Sequence, residues 1–238
     1  MAGDIPLPLR PARVQKIERP TDDVAIIQLS LPAHQRPQFL PGHYLDVLIE
    51  GGERRSFSIA NSPDRDGFVQ LHIRHIAGGA FTETVFGKLK TQDILHFELR
   101  QSAFYLRGES SKPMVFVASG TGFAPIKAII ENAIADGTRR AMTLYWGGRR
   151  PRDLYLSELP RKWADENAGF RFVPVISEAL PEDAWTGRPG LVHRAVVEDF
   201  PDLSGHQVYA CGVPAMVKAA RLDFTAECRL PENEFISQ

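Results

Sequence analysis

The chain changes its hydrophobic rhythm once, near residue 108, and that change constrains the fold more than any other feature. Before it, short segments alternate apolar and polar residues: Arg13–Glu18, Val24–Leu31, His43–Glu50, Arg55–Ala60, Phe68–His75 and Asp93–Leu99. Successive side chains of a strand point to opposite faces, so such runs predict a small antiparallel barrel or sandwich. Pro41-Gly42, Gly51-Gly52 and Asp66-Gly67 supply its turns. After the polar stretch Gly108-Glu109-Ser110-Ser111-Lys112-Pro113, Met114–Ala118 is a continuous apolar run, as a strand covered on both faces requires. Strands at Met142–Trp146, Phe170–Ile176 and Val208–Cys211 then alternate with helices predicted over Ala124–Ala135, Leu154–Trp163, Val192–Glu198 and Pro214–Glu227. That alternation predicts a parallel sheet with helices on both faces. The expected architecture is β + α/β, with an N-terminal antiparallel β-barrel domain over residues 1–107 and a C-terminal α/β domain over residues 108–238.

Composition removes several function classes. A net charge of −1 gives no general electrostatic reason to expect nucleic acid or an acidic membrane surface as partner. No apolar run approaches the roughly 18–20 residues of a membrane span, and the start, MAGDIPLPLRPARV, is broken by prolines. A cytoplasmic protein without membrane or nucleic-acid partners is expected. The two cysteines, Cys211 and Cys228, are too few for a disulfide framework, an all-cysteine zinc site or an iron–sulfur cluster. The seven histidines form no compelling metal set, so no metal is expected. Any redox chemistry must use another cofactor.

Five stretches could carry chemistry. Arg55-Ser56-Phe57-Ser58-Ile59-Ala60-Asn61 sets Arg55, Phe57 and Ile59 on one strand face and Ser56, Ser58 and Ala60 on the other, a pattern suited to a flat, phosphorylated ligand or to a plain edge strand. Gly78-Gly79-Ala80-Phe81-Thr82 opens a short helix over Glu83–Lys90, where Phe81, Val85 and Leu89 keep a helical period. It can bind an anion or simply cap the helix. Gly120-Thr121-Gly122-Phe123-Ala124-Pro125 lies between a buried strand and a helix, where backbone N–H groups can approach a phosphate. Pro125 stands in place of the third glycine of the dinucleotide pattern, and proline is tolerated in a first helical turn. Gly147-Gly148-Arg149-Arg150-Pro151-Arg152 is a basic loop, solvated or phosphate-binding. Cys211-Gly212-Val213-Pro214 makes a sharp turn at a strand's C-terminal end, with a thiol that is either structural or exposed to a ligand.

The order of these pieces resembles the ferredoxin-NADP reductase superfamily: Arg55-x-Phe-Ser58, Gly79-x-x-Thr82, Gly120-Thr-Gly-Phe-Ala-Pro125, Trp146-Gly-Gly-Arg149 and Cys211-Gly-x-Pro-x-Met216. The likeness is strongest to stand-alone NAD(P)H-flavin reductases and to the reductase domain of the CDP-6-deoxyglucoseen reductase type, and it runs from about Val14 to Phe235. It implies a flavin-binding barrel followed by a Rossmann-like nucleotide domain, with FAD, or FMN, reduced by NADH or NADPH. By this resemblance Arg55 binds flavin phosphate, Phe57 packs on the ring, and Ser58 hydrogen-bonds near N5. Ser56, the strand His72-Ile73-Arg74 and the turn Gly79, Ala80 and Thr82 complete the flavin site. Gly120, Thr121, Gly122 and Pro125 seat the nucleotide, with Gly147, Arg149 and Ser177 towards adenosine and Cys211, Gly212 and Met216 by the nicotinamide. Ser58 and Cys211 stand as the catalytic pair.

Several positions depart from the family pattern. Many members carry Tyr at Phe57, a Gly-Pro-Leu-Gly run where this chain has Leu99-Arg100-Gln101-Ser102, and an aromatic beyond Phe235-Ile236-Ser237-Gln238. Glu178 follows Ser177 where NADPH-specific members place Arg, and a carboxylate there favours NADH. The expected acceptor is a small molecule, free flavin included, or a separate redox protein. A flavin- or nucleotide-binding regulatory module without turnover is a further alternative. The sequence sets no oligomeric state.

Overall fold

The computed structural model describes residues 9–32, 38–48, 52–63 and 67–238. The predicted strand end at Ile49 and Glu50, the turn residues Gly51 and Asp66, and the start of the chain lie outside the described residues. The contacts divide the chain into two compact units, Met1–Tyr105 with Lys127–Asn132, and Leu106–Ile126 with Ala133–Gln238.

In the first unit, β1 (Arg10–Thr21), β2 (Val24–Ser30), β3 (Tyr44–Leu48), β4 (Arg54–Ser58), β5 (Phe68–Arg74) and β6 (Ile94–Arg100) form an antiparallel sheet of order β4-β3-β6-β1-β2-β5. Its two edges meet: Ile59 bridges Leu71, and the Ala60 N–H donates to Gln70 O at 2.8 Å. Closure removes the unpaired edges, so the sheet is a barrel. Alternation decides its lining, for Val14, Ile27, Leu29, Leu45, Val47, Leu71, Ile73 and Phe97 are all buried in one cluster. Helix α1 (Ala80–Gly87) adds Phe81 and Val85 to that cluster. It starts three residues before the helix predicted at Glu83, because Gly79, in extended conformation, serves as its N-cap.

In the second unit, β7 (Met114–Ser119), β8 (Met142–Gly148), β9 (Phe170–Ile176), β10 (Arg188–Pro189), β11 (Gln207–Cys211) and β12 (Phe235–Ser237) form a parallel sheet of order β10-β9-β8-β7-β11-β12. Helices α2 (Phe123–Ala135), α3 (Glu158–Glu166), α4 (Val192–Asp199) and α5 (Pro214–Ala226) connect its strands. Helix α3 corrects the helix predicted over Leu154–Trp163. A start at Leu154 would put Pro160 in the helix interior, where its missing N–H and its ring break the ladder. Starting at Glu158 places Pro160 in the first turn, where no intrahelical donor is needed.

Candidate functional site

Strand β4 presents its residues as the period of two requires. Phe57, opposite Leu45, turns inward, and its ring lies 5.2 Å from Phe81 at 44°. Ser56, opposite Asp46, donates its hydroxyl to Asp46 at 2.6 Å, and Arg100 holds the other Asp46 oxygen at 2.8 Å. Arg55 is exposed and reaches Glu53 at 2.9 Å. Ser58 is half-buried and makes no side-chain hydrogen bond among the described residues, so its hydroxyl is available to a ligand.

The turn before α1 is locked from within. Thr82 is buried, its hydroxyl accepts the Ile76 N–H at 3.1 Å, and it lies 2.9 Å from Ile76 O and 3.0 Å from Gly79 O. Thr82 therefore shapes the turn, and the first N–H groups of α1, from Ala80 on, have no side-chain cap. Glu83 accepts the Gly78 N–H at 3.2 Å beside them. On β5, Ile73 is sealed in the barrel core and offers a ligand only its backbone. His72 is buried at 3.2 Å from Gln70, and burial holds its pKa well below the usual histidine range. Arg74 lies 3.6 Å from Asp23.

The parallel sheet reverses its strand order between β7 and β11, since β8, β9 and β10 run off one side and β12 off the other. Open α/β sheets bind ligands at the C-terminal strand ends of such a switch point. Here those ends carry Gly120-Thr121-Gly122 and Cys211-Gly212. The two turns touch: a Cβ at Gly122 would overlap Cys211 O, and one at Gly212, whose φ is +146°, would overlap Ser119 Oγ. Ser119 Oγ also accepts the Val213 N–H at 2.9 Å. Thr121 is half-exposed, and Pro125 sits in the first turn of α2. Cys211 is buried, and burial pushes its thiol up to about 12, so it stays protonated at neutral pH. Met216, in the first turn of α5, packs against the α/β core.

The basic loop after β8 separates its predicted residues. Arg150 pairs with Asp183 at 2.9 Å, and the N–H groups of Arg149 and Arg150 donate to the buried Asp153 at 2.8 and 3.2 Å. Arg149 keeps an exposed side chain, 3.8 Å from Asp153 at its nearest. Gly147 has a packing reason, because a Cβ there would lie 2.7 Å from Val192 Cβ. Beyond β9, the Ser177 N–H donates to Gly148 O at 3.0 Å and the Glu178 N–H to Arg149 O at 2.8 Å. Arg149 and Glu178 thus lie side by side.

Sequence reading missed Ser119 and Asp153 as residues that build these turns, and it quoted Trp146 in the Trp146-Gly-Gly-Arg149 motif without giving it a role. Trp146 gave the clearest signal, a large aromatic immediately before a Gly-Gly loop.

The residues present fit a flavin and a nicotinamide nucleotide. Uncapped N–H groups open α1, no side chain caps the Gly120–Gly122 turn or α5, and no acidic residue enters the first turn of α2 or α5. Phosphate is favoured at such termini. Among the described residues no group of His, Cys, Asp and Glu could hold a metal ion, and no helix is long and apolar enough to cross a membrane.

Comparison with known proteins agrees. The oxidoreductase FAD-binding domain matches residues 11–105 and the oxidoreductase NAD-binding domain residues 116–222. The CDP-6-deoxy-L-threo-D-glycero-4-hexulose-3-dehydrase reductase of Yersinia pseudotuberculosis is 42% identical over 227 residues, 95% of this chain and 67% of its own length. The NAD(P)H-flavin reductase of Vibrio harveyi is 34% identical over 203 residues, covering 83% and 85%. Amycolatopsis cytochrome P450 reductase GcoB superposes with a TM-score of 0.88 at 32% identity, over 100% of this chain and 72% of that one. The chain belongs to the ferredoxin reductase-type family. It is an oxidoreductase with an FAD-binding and an NAD-binding domain, and electrons pass through it from NAD(P)H by way of FAD.

Proposed function

We propose that this chain takes hydride from NADH onto bound FAD and passes the electrons on to free flavin or another small acceptor. A flavin domain over residues 1–107 and a nucleotide domain over residues 108–238 divide the work. One observation carries the reading: two glycine turns in mutual contact at the switch point of a parallel sheet, in a chain that also closes a barrel beside an uncapped helix. When bound, the flavin and nicotinamide supply the hydride chemistry themselves. The protein's part is to position and to hold polar atoms ready.

On the flavin side, Arg55 and the N–H groups from Ala80 to Thr82, brought up by the Gly79 turn, bind phosphate, Phe57 lines the ring and Ser58 donates its hydroxyl to it. Ser56 and Ile73 support the strands, and His72 and Arg74 flank them. On the nucleotide side, Gly120, Thr121, Gly122 and Gly212 take the pyrophosphate and nicotinamide, with Pro125 and Met216 fixing the helix starts. Arg149, Ser177 and Glu178 face the adenosine ribose, with Gly147 holding their loop close. Cys211 acts as a neutral, shape-defining group at the nicotinamide. Glu178 supports the choice of NADH, because a carboxylate repels a 2′-phosphate.

A separate redox protein is the second reading, favoured by the likeness to GcoB, named as a cytochrome P450 reductase. The absorbance spectrum of the purified chain, followed by NADH titration with and without added flavin, tests the proposal. A bound flavin bleached by NADH and reoxidised by free flavin supports it. A colourless chain with no NADH oxidation refutes it.

A further inference from the structure

Trp146 is wholly buried on β8, beside Ala118 of β7, yet its indole N–H is spent on one atom of the glycine turn: Nε1 donates to Gly120 O at 3.0 Å. The Phe123 N–H donates to the same carbonyl. The ring is clamped as firmly as the bond it makes. Phe123 stacks on it at 3.9 Å and 15°, and Tyr155 meets it edge-on at 5.2 Å and 90°. Gly120 has φ +53°, a conformation open to glycine and to few other residues, and with no Cβ the direction of its carbonyl is set by the hydrogen bonds it accepts rather than by a side chain. A carbonyl turned outward would aim its negative end at any anion held by this turn, and one turned inward would not.

We infer that Trp146 is a positioning residue for nucleotide binding, its indole N–H holding the Gly120 carbonyl towards the interior so that the outer side of the Gly120–Gly122 turn presents N–H groups to a pyrophosphate. The inference rests on the reading of this turn as the nucleotide site. It accounts for a polar atom placed in an aromatic cluster, where a purely apolar side chain would leave no donor to satisfy.

Trp146→Phe tests it, since an aromatic ring still faces Phe123 while the donor goes, and the small cavity left by the lost second ring is read separately in Tm. Calorimetric titration with NAD+ should show a dissociation constant about fivefold higher than that of the unaltered chain, the effect of one ordinary hydrogen bond. Flavin affinity and the flux at saturating NADH should be unchanged. Equal NAD+ binding by both chains overturns the inference and leaves the reading of the site standing. A parallel loss of flavin and NAD+ affinity with a large fall in Tm also overturns it, since the role is then structural. Failure of the unaltered chain to bind NAD+ overturns inference and reading together. If W146F does not fold, the indole N–H resonance of Trp146 in the unaltered chain decides the matter: it should shift on NAD+ titration and exchange more slowly with solvent, and an unmoved resonance refutes the role.

Discussion

Phe57 of β4 and Phe81 of α1 meet at 5.2 Å between ring centroids, and this contact joins two motifs that stand 24 positions apart in the sequence. It ties the strand proposed for the flavin ring to the helix proposed for its phosphate. Phe57→Ala should remove both the tie and half-buried apolar area, costing about 1–3 kcal/mol, less than a fully buried Phe would. Denaturant unfolding checks the cost, and flavin titration should show weaker binding. Phe57→Tyr keeps the ring and should hold stability within about 1 kcal/mol.

Ser58 has its hydroxyl uncommitted, in contrast to Ser56 two residues earlier, which Asp46 engages at 2.6 Å. Ser58→Ala should therefore leave folding unchanged and slow flavin reduction by roughly ten- to a hundredfold, the effect of losing one hydrogen bond to a developing charge. Ser56→Ala should do the reverse, with a small loss of stability and little change in rate. Stopped-flow bleaching of the flavin by NADH distinguishes the two, and an unchanged rate in S58A removes the assigned role.

The architecture was legible because its signals are local. The alternation of β1 to β6 and the unbroken apolar run Met114–Ala118 are each patterns that one stretch of chain suffices to show. Strands β10 and β12 were not legible, because two or three residues have no period and exist only through pairing with β9 and β11. The site divides in the same way. Glycine turns before helices could be read directly, whereas the engagement of Arg150 by Asp183 and of Trp146 by Gly120 depends on partners 33 and 26 residues away. Three cations in one loop looked equivalent in sequence, and tertiary pairing leaves Arg149 as the exposed one of the first two.

Glu178 sits next to Arg149 through the bond from its N–H to Arg149 O at 2.8 Å. A carboxylate at this point opposes a 2′-phosphate and can accept a bond from a 2′-hydroxyl. The unaltered chain should show a higher kcat/KM for NADH than for NADPH. Glu178→Arg should shift the ratio towards NADPH by roughly ten- to a hundredfold, equivalent to about 1.4–2.8 kcal/mol between the two reductants. Steady-state kinetics with both nucleotides measures this, and a clear NADPH preference in the unaltered chain rejects the assignment.

Cys211 is 7% exposed, and burial lifts its thiol from an ordinary value near 9 to about 12. Between those values the unfolded chain has released the proton and the folded chain has kept it. Stability linked to this group is therefore complete below pH 9 and falls as pH rises towards 12, by about 1.4 kcal/mol per pH unit. Cys211→Ala should remove that part of the fall, so urea midpoints of the two chains should diverge less at pH 10 than at pH 8 if the alanine chain begins as the less stable one. The same burial predicts slow alkylation of Cys211 at pH 8, because the thiolate is the reacting form. Rapid modification of Cys211 in the folded chain, located by peptide mass, would show the thiol to be ionised and would remove its role as a neutral group at the nicotinamide.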